Sequence, residues 1–366
     1  MYFDIDNEFR THFKNLKQVF LYITDECNLK CIQCLYKPHV FFQLKEKEIP
    51  LDVALKLLSD FRELGAKKLT ILGGEPTLYG LSQNNEPLLE LIEKSKNMGY
   101  EYIRISTNGS FKVSLLENIK FKNLNEIAFS LDGYTSEMND EIRGPGSFSK
   151  CVSNIKAAEN LEYKTSITCC IHKKLLERDK EGNTLLHNMI QFAESLNVNT
   201  INFHDLFKCG APMDLWSGNI DPAIESWMEI YDEIRKNISN KKYSISIRLP
   251  ICIITKDAFE QNASYYGFCP AKLGERVLVH PNGILRICSN LICTSYGVAK
   301  FFNNKITWDT GRTNELSNHE IDQSTPCTIR GKKDFGNYVP LCFSLKPNQD
   351  EFVWKDISWE RRNVSK

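Results

Sequence analysis

The sequence predicts an α/β protein built around a parallel β-sheet. From residue 17 to about residue 240, short apolar runs alternate with longer amphipathic segments. A repeated strand–helix–strand pattern is typical of parallel βα units joined by right-handed crossovers. Six such units form either an open doubly wound sheet or a partial barrel, and periodicity alone does not distinguish between them. The 366 residues leave room for a second, smaller domain.

Five of the six strands in the repeat are followed by a helical segment, the exception being the strand at residues 101–106. The strands are short and apolar, whereas the helices have apolar residues at helical spacing. Leu64-Gly65 and Met98-Gly99 end the first two helices, because glycine adopts the left-handed conformation that terminates a helix. The predicted strands span residues 17–24, 67–72, 101–106, 126–131, 164–171 and 199–204. The predicted helices span residues 51–65, 86–99, 147–161, 184–197 and 221–238.

The pattern changes beyond about residue 240. Short β runs, loops and scattered cysteines replace the regular alternation. The clearest element is a hairpin at residues 276–287, where Pro281-Asn282-Gly283 supply the turn. We therefore expect two domains, 1–240 and 241–366, with the parallel sheet in the first.

The charge balance and the apolar runs limit the partners. The chain contains 46 Lys and Arg residues and 46 Asp and Glu residues, so its formal net charge is zero. A general affinity for nucleic acid or anionic lipid is therefore not expected. The N-terminal segment includes acidic side chains and lacks the apolar stretch of a secretory signal. No apolar run approaches the roughly 18 residues of a membrane helix. These features predict a cytoplasmic protein without membrane or nucleic-acid partners.

The chain contains 13 cysteines, a high and odd number. A reducing compartment disfavours disulfides, and a chain of this size does not need them. Four cysteines lie in apolar or amphipathic segments and are predicted to be buried thiols: Cys151, Cys169, Cys170 and Cys252. The other nine need separate treatment.

Three of these cysteines follow the first predicted strand. Cys27, Cys31 and Cys34 have the spacing Cys-x3-Cys-x2-Cys. They lie at the carboxyl end of the strand, where parallel βα folds build their active sites. A zinc site with His39 as the fourth ligand is one interpretation. The spacing is better suited to a loop around one [4Fe–4S] cluster, with three irons held by thiolates and the fourth open to a ligand.

The segment CNLKCIQC resembles the signature of the radical S-adenosylmethionine (SAM) superfamily. Further segments resemble motifs of that family: GGEPTL (73–78), STNG (106–109), SLDG (130–133) and DEIRGPGSF (140–148). The resemblance implies a partial (β/α)6 TIM-type barrel with a [4Fe–4S] cluster that binds SAM. It also implies an external electron donor of the flavodoxin or ferredoxin type and a 5′-deoxyadenosyl radical that abstracts a substrate hydrogen.

The resemblance also assigns residues to SAM binding. Gly73 and Gly74 would allow close approach of the backbone to the ligand, with a tight turn as the alternative. Glu75 would support this loop rather than contact SAM. Ser130 and Arg143 are candidates for polar and carboxylate contacts to SAM, with a surface ion pair as the alternative for Arg143.

Other assignments are more open. Ser106 and Asn108 belong to the STNG segment, and Asn108 and Asp132 could equally be turn formers. The family often has an aromatic residue before its third cysteine, where this chain has Gln33. Tyr36 is therefore a candidate for the contact with adenine.

A second group of cysteines lies in the C-terminal part of the chain. Cys269 and Cys288 form a Cys-x13-Gly-x4-Cys pattern around the predicted hairpin. The pattern resembles the opening motif of the SPASM and twitch extensions of radical SAM enzymes. It implies one auxiliary [4Fe–4S] cluster in a small α+β domain, with Cys327 and Cys342 as further ligands and Cys293 as a weaker candidate. Zinc or buried thiols are the alternative.

Three residues after the sixth strand are candidates for further chemistry. Cys209 could donate a hydrogen atom to a substrate radical, as cysteines do in radical SAM epimerases, or be an ordinary loop thiol. His204 and Asp205 could accept the proton that a radical oxidation releases, or have a core or capping role.

The favoured function is a peptide maturase that oxidises or cross-links a ribosomally synthesised peptide, with epimerisation as a variant. Only about 16 residues precede the first strand, so no leader-recognition domain is expected there. The alternatives are a radical dehydrogenase acting on a sugar or aminocyclitol, and a scaffold or electron-transfer protein, in which an intact SAM site would have little purpose. A molybdopterin-type cyclase is disfavoured because the chain ends in RRNVSK and lacks the Gly-Gly tail of that family.

Overall fold

The computed structural model describes residues 3–34, 36, 47–205, 224–249, 252–255, 274–289, 297–309 and 338–341. The strands are β1 (Asp4–Ile5), β2 (Gln18–Tyr22), β3 (Lys68–Leu72), β4 (Tyr102–Thr107), β5 (Glu126–Ser130), β6 (Thr165–Ile171), β7 (Thr200–Asp205), β8 (Ser246–Arg248), β9 (Cys252–Thr255), β10 (Arg276–Val279), β11 (Ile284–Arg286), β12 (Ala299–Phe302), β13 (Lys305–Trp308) and β14 (Tyr338–Leu341). The helices are α1 (Asn7–His12), α2 (Leu51–Glu63), α3 (Glu86–Asn97), α4 (Ser114–Glu117), α5 (Ser136–Arg143), α6 (Ser147–Asn160), α7 (Leu185–Ser195) and α8 (Ile224–Ser239).

The six predicted parallel strands are confirmed as β2 to β7. Neighbouring strands pair in parallel from β2 through to β8. Each strand lies beside the one that follows it in sequence, and the order does not reverse within this run of described strands. A doubly wound sheet reverses its strand order near the centre. The sequential order is therefore that of a barrel wall.

The two faces of the sheet have different surroundings. Val19 and Leu21 of β2 belong to a large apolar core that also includes Leu57 and Leu58 of α2. Tyr22 belongs to a small separate cluster on the other side. Because successive strand residues point to opposite faces, the same alternation divides each neighbouring strand. We call the side turned away from the helices the inner face.

The predicted hairpin is confirmed as β10 and β11, which pair antiparallel. β10 also pairs in parallel with β2, on the side opposite β3. β12, β13 and β1 follow outward in the same sheet. Strands from the last third of the chain therefore extend the N-terminal sheet, and the division into two domains near residue 240 remains a prediction.

The helix α5 is one that the apolar periodicity does not predict. The Thr135 hydroxyl caps its first turn by accepting a hydrogen bond from the Met138 N–H at 3.3 Å. Gly144, at φ +103°, ends it. Its last residue is Arg143, so the end of this helix places a positively charged residue near the cysteine loop. No described helix is both long enough and apolar enough to cross a membrane.

Candidate active site

The three cysteines of the N-terminal triplet lie in the loop that follows β2, and all three are partly buried. Cys27 Sγ accepts hydrogen bonds from the Leu29 N–H at 3.4 Å and from the Asn108 side-chain amide at 3.9 Å. Burial, with smaller contributions from Glu75 and Cys31, raises the pKa of Cys27 to about 11. Burial, with smaller contributions from the other two thiols, raises the pKa of Cys34 to about 12. The Cys34 N–H donates to the Cys31 carbonyl at 3.3 Å, so these two cysteines lie in one tight turn of the loop.

This donor set fits a [4Fe–4S] cluster with three protein ligands. Thiolates are the ligands that such clusters use. Each cysteine would bind a different iron of such a cluster, so the thiols need not converge on a single point. Within the described ranges, no group of three or more His, Cys, Asp and Glu side chains is arranged to hold a metal ion. A bound cluster would supply the electron for reductive cleavage of SAM.

Gly73 and Gly74 lie where the loop after β3 packs on the cysteine loop. A Cβ atom on Gly73 would lie 2.5 Å from the carbonyl oxygen of Thr24, and one on Gly74 would lie 2.3 Å from that of Glu26. The amides of Gly74 and Glu75 donate to the same two carbonyls, at 2.7 and 2.6 Å. The close approach that requires glycine is thus between two loops, and a contact with SAM stays a prediction.

Glu75 joins this loop to the one after β4. One carboxylate oxygen accepts hydrogen bonds from the Thr77 N–H at 3.0 Å and from the hydroxyls of Thr77 and Thr107, both at 2.7 Å. The other oxygen accepts from the Asn108 N–H at 2.7 Å. Burial raises the pKa of Glu75 in spite of these donors. The side chain supports the loops that surround the triplet.

Arg143 lies against an internal carboxylate. Its Nε is 2.6 Å from Oδ2 of Asp132, and both side chains are buried. Burial alone would lower the pKa of Arg143, but the Asp132 carboxylate raises it above its usual value. Gln33 donates a hydrogen bond to the same Asp132 oxygen, and the Cys170 N–H donates to the other at 2.6 Å. The ion pair expected for Arg143 as the alternative is present, but it is internal and not on the surface.

The remaining candidates for SAM contacts line the same edge of the sheet. Ser106 and Ser130 lie at the carboxyl ends of β4 and β5 and are partly exposed. Asn108 forms a turn, since its Oδ1 accepts from the Ser110 N–H at 2.8 Å. Its Nδ2 also donates to Oδ1 of Asn28 in the cysteine loop, at 2.7 Å. Contacts of these side chains with SAM stay predictions.

Tyr36 packs into the inner face beside β2. Its hydroxyl donates to Asp25, and its ring centroid lies 4.9 Å from that of Tyr22. The side chain is buried. This position is next to the third cysteine, and the predicted contact with adenine stays untested.

A charged network lies on the inner face. Glu126 pairs with Arg104 at 3.1 Å and accepts hydrogen bonds from Ser166, at 2.5 Å, and from Tyr102. Burial would raise the pKa of Glu126, but the charge of Arg104 and these hydrogen bonds hold it below its usual value. Sequence reasoning misses this network, although the alternation in YIRIST, with Arg104 between two buried isoleucines, is a usable signal.

The structure describes the remaining predicted residues to different extents. His204 is exposed near the end of β7, and Asp205 is described only through its backbone. Cys288 lies just after β11, where Arg276 Nη2 donates to its sulfur at 3.8 Å. Among the predicted buried thiols, Cys151 and Cys169 are confirmed as buried, Cys170 is partly buried and Cys252 is described only through its backbone. The residues outside the described ranges are His39, Cys209, Cys269, Cys293, Cys327 and Cys342.

Comparison with known proteins places these features in a family. The Radical SAM superfamily matches residues 21–181. A GTP 3′,8-cyclase from Petrotoga mobilis is 31% identical over 234 residues, which are 62% of this chain and 68% of that protein. A GTP 3′,8-cyclase from Limosilactobacillus fermentum is 28% identical over 195 residues, which are 53% of this chain and 55% of that protein. The chain spans about half the length of several curated relatives that it matches.

Solved structures share the fold. SuiB from Streptococcus suis has a TM-score of 0.60 at 16% identity, over 84% of this chain and 69% of SuiB. A structure of anSMEcpe with bound AdoMet has a TM-score of 0.54 at 18% identity, over 75% of this chain and 74% of that chain. At such identities the likeness concerns the fold alone.

Proposed function

The chain belongs to the radical SAM superfamily, and on that premise we propose that it abstracts a hydrogen atom from an anionic substrate held at the inner face of its sheet. The family implies a [4Fe–4S] cluster, SAM and reductive cleavage of SAM. The triplet Cys27, Cys31 and Cys34 would hold the cluster. What the family does not fix is the substrate.

The charge of the inner face carries this proposal. Arg104, Arg248, Arg276 and Arg286 alternate with residues that face the helices, so they lie on the inner face. Glu126 is the one acidic residue at an inner-face position of the described strands β2–β8, β10 and β11. Arginine binds phosphate and carboxylate groups through two parallel hydrogen bonds. An excess of guanidinium groups therefore favours an anionic substrate.

We propose a phosphorylated nucleoside as the first substrate class, with GTP as the probe. The sequence alone disfavours a cyclase of this type; support for GTP comes instead from the relatives named GTP 3′,8-cyclase, one of which is 31% identical to this chain. The experiment is anaerobic incubation of reconstituted protein with SAM, dithionite and GTP, followed by chromatography and mass spectrometry. GTP should raise the formation of 5′-deoxyadenosine and should itself be converted to a product. No increase over the reaction without GTP would reject this substrate.

A peptide is the second candidate, in which the chain oxidises or cross-links a ribosomally synthesised substrate. Two observations favour it: the SPASM-like spacing of Cys269 and Cys288, and the fold shared with SuiB, one structure of which has the precursor peptide SuiA bound. Peptides encoded beside the gene are the probes. Loss of two hydrogen atoms in the product mass indicates oxidation or cross-linking. Deuterium uptake from heavy water without other change indicates epimerisation, for which Cys209 is the proposed hydrogen donor.

The other components are proposals that follow from the sequence. Cys269, Cys288, Cys327 and Cys342 would hold one auxiliary [4Fe–4S] cluster in a twitch-like domain. His204 and Asp205 would accept a proton. A flavodoxin or ferredoxin would donate the electron, and the location would be cytoplasmic. A sugar or aminocyclitol dehydrogenase is retained as a further alternative, to be tested in the same assay with those alcohols.

A further inference from the structure

One wall of the inner face joins the cysteine loop to the C-terminal hairpin. β2 and β10 pair with Phe20 opposite Leu278. Tyr22 and His280 are therefore neighbours two residues further along the same two chains. Val279 packs in the core under the helices, so His280, the next residue, faces inward.

The side chain of His280 is buried against an aromatic ring. It is 2% exposed, and its ring stacks on Tyr22 with centroids 4.4 Å apart and an interplanar angle of 20°. Neither ring nitrogen has a hydrogen-bond partner in the part of the chain that the structure describes. A neutral imidazole has one N–H donor and one acceptor nitrogen, and burying such groups without partners destabilises a fold. A ligand inside the barrel would satisfy them.

The charge beside His280 indicates what kind of ligand this is. Arg286 is fully buried and lies opposite Leu278 in β11, on the same face. Burial and the charge of Arg286 lower the pKa of His280 well below its usual value, so the ring is a neutral donor at pH 7. An N–H donor in the field of a guanidinium group suits an anionic oxygen.

We propose that His280 is a substrate-binding residue that donates a hydrogen bond to an anionic oxygen, of a phosphate or a carboxylate, on the substrate. The proposal rests on the proposed function, because it places that substrate at the inner face. It adds a specific contact, on the wall that runs from the cysteine loop to the hairpin bearing Cys288.

The first test measures the urea unfolding midpoint of the cluster-loaded protein and its variants without substrate. His280→Leu removes both ring nitrogens, and His280→Gln keeps an N–H donor. His187→Leu is the matched control, because His187 is also buried but lies on α7 and is bonded to the Tyr243 hydroxyl at 2.7 Å. His280→Leu should leave the urea midpoint unchanged or raise it, because an unsatisfied polar group is removed. His187→Leu should lower the midpoint. A fall in the midpoint of His280→Leu as large as that of the control would overturn the proposal.

The second test is calorimetric titration of the same proteins in the presence of SAM. GTP is the phosphate probe, and a short polyglutamate peptide is the carboxylate probe. At least one probe should bind the wild type and His187→Leu, and should bind His280→Leu about tenfold to a hundredfold more weakly, with His280→Gln between them. Binding of GTP alone assigns a phosphate, and binding of the peptide alone assigns a carboxylate.

Three outcomes of the titration would overturn the proposal. The first is that wild type and His280→Leu bind the probe with equal affinity. The second is that neither probe binds the wild type. The third is that His280→Leu loses affinity for SAM only. These outcomes are separate from product formation. A probe whose binding depends on His280, but which is not converted, supports this inference and rejects the proposed function for that probe.

Discussion

Asp132 holds together three segments around the cysteine triplet. Its buried carboxylate contacts Arg143 from α5, Gln33 from the cysteine loop and the Cys170 N–H from β6. A charge in this position is stabilised only because each partner is in place, since a buried ion without partners is strongly destabilising. The sequence leaves Asp132 open between a turn and a SAM contact, and the structure gives it a supporting role between these segments.

Asp132→Asn should destabilise the protein by about 3–5 kcal/mol, because it leaves the Arg143 charge buried without its counter-ion. Urea unfolding measures the effect. Glu141→Gln is the control: its partner Lys174 lies 3.1 Å away, and the two side chains are 60% and 46% exposed. The control should lose less than about 1 kcal/mol. Equal losses in the two variants would contradict the assignment.

His172 should make stability fall in mild acid. Burial lowers its pKa, against the effect of its contact with Asp132 O at 2.7 Å. The folded state therefore keeps it neutral while the unfolded chain takes up a proton below about pH 6.5. Stability is fully present above that pH and is lost as the pH falls. The urea midpoints measured above and below pH 6.5 should differ more for the wild type than for His172→Gln, which does not titrate. The same difference in both proteins would contradict the assignment of the acid sensitivity to His172.

For single residues, the sequence predicts which side chains belong to the candidate site better than it predicts the contacts that those side chains make. Gly73, Ser106 and Ser130, which the sequence assigns to SAM binding, lie at the carboxyl ends of β3, β4 and β5, as parallel strand order requires. Gln33 stands out in the sequence only as a departure from an aromatic position, and its contact with Asp132 joins residues 99 positions apart. Local patterns carry no information about such a pair, because the two side chains meet only through the fold.

Among the elements, the loops after β2 and β3 depend on each other. Gly74→Ala would place a Cβ 2.3 Å from the Glu26 carbonyl oxygen, which is backbone and cannot rotate away. The loops must then separate, so the variant should keep its far-ultraviolet circular dichroism but lose about four irons on reconstitution. Iron analysis and the spectrum check this.

Gly182→Ala is the control for that experiment. Gly182 has φ +83°, and no atom of the described residues lies within 4 Å of the place that a Cβ would take. The variant should lose about 1–2 kcal/mol through backbone strain and keep its iron. Equal iron loss in both variants would indicate a general folding defect and not a local clash.

Strands and crossover helices are the best predicted elements. Their apolar residues recur with the period of the structure they form, so β2 to β7 agree with prediction to within about two residues at each end. α5 is missed because only Met138, Ile142 and the aliphatic part of Arg143 mark its buried side among polar neighbours. The pairing of β10 with β2 is missed for another reason, since periodicity does not say which strands are partners.

For the whole molecule, the number of irons tests the cofactor assignment. Reconstituted protein should bind about eight irons, as two four-iron clusters. Replacing Cys27, Cys31 and Cys34 by Ala should leave about four and abolish the formation of 5′-deoxyadenosine. Residual 5′-deoxyadenosine in that variant would contradict the role of the triplet, and only about four irons in the wild type would contradict the auxiliary cluster.

The pairing of β2 with β10 has a consequence for synthesis on the ribosome. Lys17 and Glu275, which flank this pairing, are bonded across 258 residues of chain. At the usual rate of elongation, β2 waits roughly 13 to 50 seconds for its second neighbour. An open strand edge is a template for pairing with other chains. The nascent protein is therefore most prone to aggregate just before residue 279 emerges, and slow elongation or scarce chaperones should lower its soluble yield more than its equilibrium stability would suggest.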